Sequence, residues 1–252
     1  MVLNDSQIKI ARLNGKIISL ILKKLLRLVY KKKEGDLIDR EAGKLIKEAK
    51  GTAAFKEVKN EKGELYPANI CLSINEEIVH CLPFGKKIRP SDVVSLDLGF
   101  KRDNIVVDMA WTVYVEGKNK EIFNLLKANK EALYKACKKA KKGNSTLDIS
   151  REIEETAKKY KVYPVKELTG HGLGYTLHEQ PTIFNVVYKE RSAPLEKNML
   201  LAIEPIFANQ NYKRLQFTDN WNIILEKGTI ASHFEFSVLV SEEKGEILTP
   251  SP

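Results

Sequence analysis

Cysteine is scarce in this sequence, with only Cys71, Cys81 and Cys137 among 252 residues. An odd number of cysteines without C-x-x-C spacing provides neither a disulfide framework nor a zinc–cysteine site. Free thiols are typical of a reducing compartment, so we expect a cytoplasmic protein.

Long uninterrupted hydrophobic runs are also missing. The stretch KIISLILKKLLRLVYKKK is largely apolar, but Lys23 and Lys24 divide it into runs too short for a signal sequence or a membrane span. Its apolar residues recur at roughly helical spacing, which predicts an amphipathic helix over 7–30, with Asn4 and Gln7 as a capping box. We interpret this helix as packing on a sheet and expect no membrane attachment.

Acidic residues are fewer than basic ones, 33 against 42, and the net charge is +9. A basic surface binds phosphates, so an anionic partner such as the RNA of the ribosome is one interpretation. The lysines are scattered over predicted helices, and no nucleic-acid motif with interleaved aromatic residues is present. We therefore favour solvated helix faces, keep the ribosome as a hypothesis, and expect a monomer.

No low-complexity linker divides the sequence, which predicts a single domain over residues 1–252. Further helices are predicted over 38–49, over 119–142 with Gly143 as its left-handed cap, and from 145–148 to about 160. Strands are predicted within 69–83 and 92–115, and short strands follow the last helix. Antiparallel strands with helices to one side indicate an α+β domain.

Two acids interrupt the strand-like stretch VSLDLGFKRDNIVVDMAW, at Asp97 and Asp108. A turn that is symmetric about the Arg102–Asp103 bond would place the two aspartates directly opposite each other. Like charges in that arrangement are destabilising, so a shared proton, exposure to water or a bound cation must offset the repulsion. This hairpin alone favours an exposed acidic pair over a metal site.

The second half of the sequence changes that preference. GHGLGYTLHEQP contains His171 between two glycines, and Glu204 in LLAIEP and Glu235 in HFEFSV stand in apolar strand contexts. A lone buried carboxylate costs on the order of several kcal/mol, so four such acids in strand interiors require one common explanation. Carboxylates with a single imidazole suit a dinuclear divalent metal site.

Five segments carry a family resemblance in their order: NEEIVH (75–80), DLGFKRDNIVVD (97–108), GHGLGYTLHEQP (170–181), AIEP (202–205) and HFE (233–235). Together they resemble type I methionine aminopeptidases, across nearly the whole chain. The resemblance implies the pita-bread fold, a curved antiparallel sheet with helices on its outer face and two pseudo-symmetric halves.

The resemblance also implies two divalent metal ions, Co, Mn, Fe or Zn. Asp97 is similar to the bidentate ligand of one ion, His171 and Glu204 to ligands of the other, and Asp108 and Glu235 to the bridging carboxylates. The ions would lower the pKa of a shared water for attack on the first peptide bond. Glu204 would also shuttle protons, although sequence does not separate its role as ligand from that of a base.

The same resemblance assigns His80 and His178 to the substrate, where they assist proton transfer and one of them stabilises the oxyanion. Tyr66, Cys71 and Trp221 match positions around the side chain of the N-terminal methionine; as residues alone, the two aromatics would be interpreted as core. An apolar, polarisable pocket suits a thioether. The partners implied are the N-termini of nascent polypeptides.

Three features depart from the family pattern. Phe236 replaces a usual histidine, and by strand alternation we expect its side chain to point away from Glu235 and leave the ligand intact. Cys81 replaces a usual glycine and would crowd the substrate or offer a thiol beside the metals. The segment KEVKNEKGELYP (56–67) replaces a shorter stretch at the pocket rim.

Two other functions remain open at this stage. One is a proline-directed aminopeptidase or dipeptidase of the same fold, which the short N-terminal region and the SHFE context disfavour. The other is a non-catalytic relative that binds ribosomes or peptides. Retention of all five ligand positions disfavours it, because four acids without metal would repel one another.

Overall fold

A computed structural model describes residues 1–218 and 220–252 of the chain. The helices are α1 Asp5–Tyr30, α2 Gly35–Glu48, α3 Lys120–Lys139 and α4 Thr146–Tyr160, and single 3₁₀ turns cover Ala54–Glu57 and Lys189–Arg191. The strands are β1 Thr52–Ala53, β2 Cys71–Ile74, β3 Glu77–Val79, β4 Val93–Arg102, β5 Ile105–Tyr114, β6 Tyr163–Pro164, β7 Thr169–Leu173, β8 Glu179–Phe184, β9 Leu200–Ile203, β10 Ile206–Ala208, β11 Gln216–Thr218, β12 Asn222–Ile224, β13 Ala231–His233, β14 Phe236–Leu239 and β15 Glu246–Ile247. Within the described ranges, no helix is long and apolar enough to cross a membrane.

The first half of the chain packs two helices on one antiparallel sheet. The capping box at the start of α1 is confirmed, because Asn4 accepts from the Gln7 backbone N–H while the Gln7 side chain accepts from the Asn4 backbone. The buried face of α1 lies against β4 and β5. One edge of β4 pairs with β1 and β2, and its other edge pairs with β5 over ten residue pairs.

The second half repeats this plan with α3, α4 and two sheets, in the strand orders β15-β14-β9-β7-β8 and β13-β10-β6. The predicted inward face of α3 is confirmed: Ile122, Leu125, Leu126, Leu133 and Ala136 are all buried. The fold is therefore α+β, with antiparallel sheets and a pair of helices against each half.

The predicted end of α3 is wrong. The helix stops at Lys139, because Lys141 forms a parallel bridge with Ser241 and the Lys142 backbone N–H donates to the Ser241 carbonyl oxygen at 2.8 Å. Gly143 does have a positive φ of 86°, but it lies beyond this bridge and does not cap the helix.

The predicted register of the β4–β5 hairpin is also wrong. Asp97 pairs with Ala110, and Asp108 pairs with Gly99. The turn consists of two residues, Asp103 and Asn104, with φ values of 52° and 60°, which is the left-handed pair of a type I′ hairpin. Because the shift from the expected register is two residues, the aspartates stay on one face but lie diagonally.

The two halves meet along the free edge of β5. The Glu235 backbone N–H donates to the Ala110 carbonyl oxygen at 3.0 Å, and the Asp108 backbone N–H donates to the Ser237 hydroxyl at 2.8 Å. The Thr112 hydroxyl accepts from the His233 backbone N–H at 2.9 Å. These bonds fix the acids of one half against those of the other.

Candidate active site

A cavity of about 480 Å³ opens at the junction of the two halves. All four histidines of the chain and the four acids singled out in the sequence line it: His80, His171, His178, His233, Asp97, Asp108, Glu204 and Glu235. Of the residues described, no lysine or arginine lines this cavity. Its charge is therefore opposite to the net charge of the protein.

Asp97 and Asp108 reach the cavity from the interiors of β4 and β5, and both are buried. Burial raises the pKa of Asp97, and the charges of Asp108 and Glu204 raise it further. Burial and Glu204 raise the pKa of Asp108 to about 8. Asp97 Oδ1 has no hydrogen-bond partner among the described residues. The two aspartates are therefore buried, as the second half of the sequence indicated. They are not the exposed acidic pair that the hairpin alone favoured.

Glu204 and Glu235 occupy two-residue gaps between short strands, and not strand interiors as the sequence suggested. Ile203 pairs with Phe236 on one side of the gaps, and Ile206 pairs with His233 on the other. The two gaps have equal length, so Glu204 lies across from Glu235. The strands are interrupted here because Pro205 has no N–H to donate.

The pKa values of these glutamates are raised. For Glu204 the cause is burial, and for Glu235 it is burial followed by the charges of Asp108, Glu204 and Asp97. When ionised and without a cation, these four carboxyls repel one another, and the fold holds them close together despite that repulsion.

Two imidazoles flank Glu204. His171 Nε2 lies 3.3 Å from Glu204 Oε1, and His233 Nε2 lies 3.2 Å from Glu204 Oε2. Burial lowers the pKa of both histidines to about 3, with the charge of His178 adding to the effect at His171. His171 Nδ1 lies 2.9 Å from the Gly172 carbonyl oxygen, which can only accept, so Nδ1 carries the proton. The Nε2 lone pair of His171 therefore faces a carboxylate oxygen.

His171 Nε2 and Glu204 Oε1 are two acceptors at 3.3 Å, and the nearby Glu235 has an Oε1 without a hydrogen-bond partner among the described residues. This arrangement fits a divalent cation placed among them. Two groups of three residues have ligand atoms within 4.8 Å of one another: Asp108, His171, Glu235 and Glu204, His233, Glu235. The donor set, oxygen-rich with imidazole, suits Co, Mn, Fe or Zn.

His233 was missed at the sequence level, where only Glu235 of the HFE segment was given a role. A signal for it was present, because His233 and Glu235 are two residues apart and so share one face of an extended chain. The structure places the His233 side chain in the cavity wall, 2% exposed.

His80 and His178 lie nearer the mouth of the cavity. His80 has a φ of 57°, a left-handed conformation, and burial with the neighbouring His178 lowers its pKa to about 4. The His178 ring packs edge-on against His171, with centroids 4.5 Å apart, and its pKa is lowered by burial. Both rings are consequently neutral near pH 7, with one donor and one acceptor nitrogen each.

The three predicted methionine-pocket residues are not equivalent in the structure. Tyr66 and Trp221 line the cavity and pack edge to face, with centroids 4.9 Å apart. Cys71 is buried and does not line the cavity; it pairs with Asp97 across β2 and β4. Phe55 and Leu177 provide further apolar lining.

The three departures from the family pattern have different outcomes. Phe236 packs on Trp111 and Tyr134 in the core, with centroids 6.0 and 5.4 Å apart, so its predicted direction is confirmed. The expectation for Cys81 is wrong: its thiol donates to the Val79 carbonyl oxygen at 3.3 Å and does not line the cavity.

The segment 56–67 folds back on itself through a bridge between Lys59 and Leu65. The Tyr66 backbone N–H donates to the Val58 carbonyl oxygen at 3.0 Å. Val58 lines the cavity beside Tyr66, so this segment does form part of the rim.

Comparison with known proteins is consistent with this geometry. Residues 10–242 match the model of metallopeptidase family M24. The chain is 38% identical to a methionine aminopeptidase of Aquifex aeolicus over 73% of the chain and 72% of that protein. It is 32% identical to methionine aminopeptidase 1 of Bacillus subtilis, over 96% of both chains. The crystal structure of a methionine aminopeptidase from Thermotoga maritima superposes with a TM-score of 0.89 at 30% identity, covering 100% of this chain and 99% of that one.

Proposed function

This chain belongs to metallopeptidase family M24, and from that premise we propose that it removes the N-terminal methionine from newly made proteins as a metal-dependent hydrolase. The observation that carries the proposal is the cavity itself. Four buried carboxyls, the buried His233 imidazole and the half-buried His171 imidazole converge there without any lysine or arginine in the described lining.

Five residues would hold the metal: Asp97, Asp108, His171, Glu204 and Glu235. Divalent cations at such a site supply a lowered water pKa and polarise a carbonyl group, which is the chemistry that peptide hydrolysis requires. The number of ions proposed is two, because the potential ligand atoms of the cavity form two groups of three residues that share Glu235.

The chain's own residues would bind and orient the substrate. The acidic cavity, with Glu167 and Glu179 in its lining, attracts the protonated amine of a free N-terminus, a charge that an internal peptide bond lacks. Tyr66 and Trp221 form an apolar wall for the first side chain. This arrangement supports removal of one N-terminal residue.

Proton movement would use the neutral groups beside the scissile bond. Glu204 lies beside the His171 and His233 rings at the centre of the cavity, where its carboxyl would accept a proton and deliver it to the departing amine. His178 is exposed at the mouth and His80 is half-buried, so each can donate a ring N–H to a substrate carbonyl oxygen.

Newly made proteins appear in the cytoplasm, which is the location we propose, with the chain acting as a monomer. Many surface lysines are already paired with acids, as in Lys139–Glu152 and Lys142–Glu242. This pairing supports solvated helix faces as the origin of the net charge. Contact with the ribosome through the remaining basic surface stays part of the proposal.

The test is a substrate comparison with defined metal content. Protein stripped with a chelator is reconstituted with Co, Mn, Fe or Zn and given the peptides Met-Ala-Ser, Ala-Pro and Gly-Pro. We expect release of methionine from the first peptide only. Asp108→Ala should abolish it, whereas Asp5→Ala, an exposed acid at the start of α1, should not.

Cleavage of the proline peptides instead would identify a proline-directed enzyme of the same fold. A fully metallated protein that cleaves none of the three peptides would favour the non-catalytic, peptide-binding alternative.

A further inference from the structure

His233 is a buried imidazole without a hydrogen-bond partner. Its side chain is 3% exposed. Neither ring nitrogen has a hydrogen-bond partner among the described residues. Buried polar groups are nearly always satisfied, and an unsatisfied one costs about 1–3 kcal/mol, so this side chain requires an explanation.

The position of His233 Nε2 suggests an explanation for the missing hydrogen bonds. It lies 3.2 Å from Glu204 Oε2 and 3.7 Å from Glu235 Oε2. The first distance is short enough for a hydrogen bond, but Nε2 makes none. The nitrogen therefore lies close to both carboxylates without being hydrogen-bonded to either.

These separations are those of ligands around a common ion. Ligand atoms bound at about 2.0–2.2 Å and about 90–125° apart lie about 2.8–3.9 Å from one another. Both His233 distances fall in this range, as does the 3.3 Å between His171 Nε2 and Glu204 Oε1. The unpartnered nitrogen and the ligand-like spacing are independent observations of one side chain.

We propose that His233 is a second imidazole ligand of the metal centre. It binds together with Glu204 and Glu235, so that with His171 the centre has two imidazole ligands. The inference rests on the proposed function, because it assigns a further ligand to the same centre. A second imidazole shifts the preference of the centre from Mn towards Co and Zn, since imidazole suits the later metals.

The test counts histidine ligands in the metal-loaded protein. Cobalt-loaded wild type, His233→Gln and His178→Gln are compared by X-ray absorption, in which imidazole has a distinct scattering pattern. His178 belongs to neither ligand group, so its variant is the matched control. We expect two imidazoles per chain in the wild type and in His178→Gln, and one in His233→Gln, with cobalt affinity reduced at least about 10-fold.

One imidazole per chain in the wild type, or an unchanged spectrum in His233→Gln, would overturn the inference while leaving the proposed function intact. A protein that binds no metal at all would overturn both. If His233→Gln does not fold, wild type loaded with ¹¹³Cd and labelled with ¹⁵N-histidine gives the same count. Two of the four histidines should then show Nε2 coupling to cadmium, and coupling at His171 alone contradicts the assignment.

Discussion

The two carboxylate pairs of the cavity come from different kinds of backbone. Asp97 and Asp108 project from the interiors of two ten-residue strands, whereas Glu204 and Glu235 come from two-residue gaps between short strands. In the continuous hairpin the acids are diagonal, each paired with Ala110 or Gly99. Direct opposition of two acids occurs only where the strand ladder is interrupted. Regular pairing thus separates like charges, and a gap permits their approach.

The pairs also differ in their neighbours. Both imidazoles with ligand-like spacing flank Glu204, and Glu235 belongs to both groups of potential ligands. Asp97 belongs to neither group and pairs with Cys71 across β2 and β4. The gap between the short strands is therefore the centre of the site, and the continuous β4–β5 hairpin lies at its side.

The largest effect is expected from removing Glu235. Glu235→Ala should lose both ions and reduce methionine release by more than about 100-fold, because loss of outer partners of metal ligands already costs about 10–100-fold. Asp97→Ala should lose one ion only. Metal content per chain and initial rates measure the difference. Retention of both ions in Glu235→Ala would contradict the central position of Glu235 relative to Asp97.

A large effect on stability is expected beside the gap, at Phe236. This side chain is 0% exposed and packs on Trp111 and Tyr134, so Phe236→Ala should lower the free energy of unfolding by about 3–5 kcal/mol. Metal content at low temperature should stay at the wild-type value, because the ring points away from Glu235. Urea unfolding and metal analysis together test this, and loss of metal without loss of stability would contradict it.

Removing the metal should make stability depend on pH. Without a cation the pKa of Asp108 is raised to about 8, and those of Asp97, Glu204 and Glu235 are raised as well. In the unfolded chain these carboxyls titrate near about 4. Below about pH 6.5 the histidines oppose the effect of these carboxyls, because their pKa values are lowered in the folded state and the unfolded chain binds their protons. Between about pH 6.5 and pH 8 the folded state holds more protons, so the free energy of unfolding falls as pH rises.

A saturating cation should cancel that slope and add about 2.7 kcal/mol at 100 times its dissociation constant. Thermal unfolding from about pH 6.5 to about pH 8, with chelator and with cobalt, measures both effects. Glu235→Gln should weaken the slope in chelator more than a substitution at a distant acid such as Glu131→Gln. Stability that increases with pH in the chelated protein would be the contrary result.

The smallest effect is expected at the hairpin turn. Asn104 has a φ of 60°, so Asn104→Ala should cost about 1–2 kcal/mol, whereas Asn104→Gly should be close to neutral. The aspartates keep their positions in both variants, so metal content should not change. Equal stability of the alanine and glycine variants would favour the symmetric four-residue turn and the directly opposed aspartates.

Local patterns determined what the sequence could predict. The capping box of α1, the inward face of α3 and the direction of Phe236 follow from neighbouring residues, and each is confirmed. The five ligand candidates and His80 and His178 do line one cavity. Their order in the family pattern indicated this, because no local rule brings residue 97 to residue 235.

The wrong predictions concern features that are determined by contacts between residues distant in the sequence or by the local backbone conformation. The end of α3 depends on the bridge between Lys141 and Ser241, and the hairpin register depends on two left-handed residues whose sequence, Asp-Asn, is a weaker turn signal than Asn-Gly. The thiol of Cys81 turns to a carbonyl oxygen of its own hairpin. His233 is recognised as a site residue from the two glutamates that its ring approaches in the structure, Glu204 and Glu235.

Anomalous diffraction from crystals loaded with cobalt tests the central claim most directly. The account predicts two peaks, with oxygens of both carboxylate pairs within about 2.0–2.2 Å of cobalt and Glu235 shared between the two ions. Absence of cobalt, or a single ion held by the hairpin aspartates alone with Glu204 and Glu235 turned away, would contradict it.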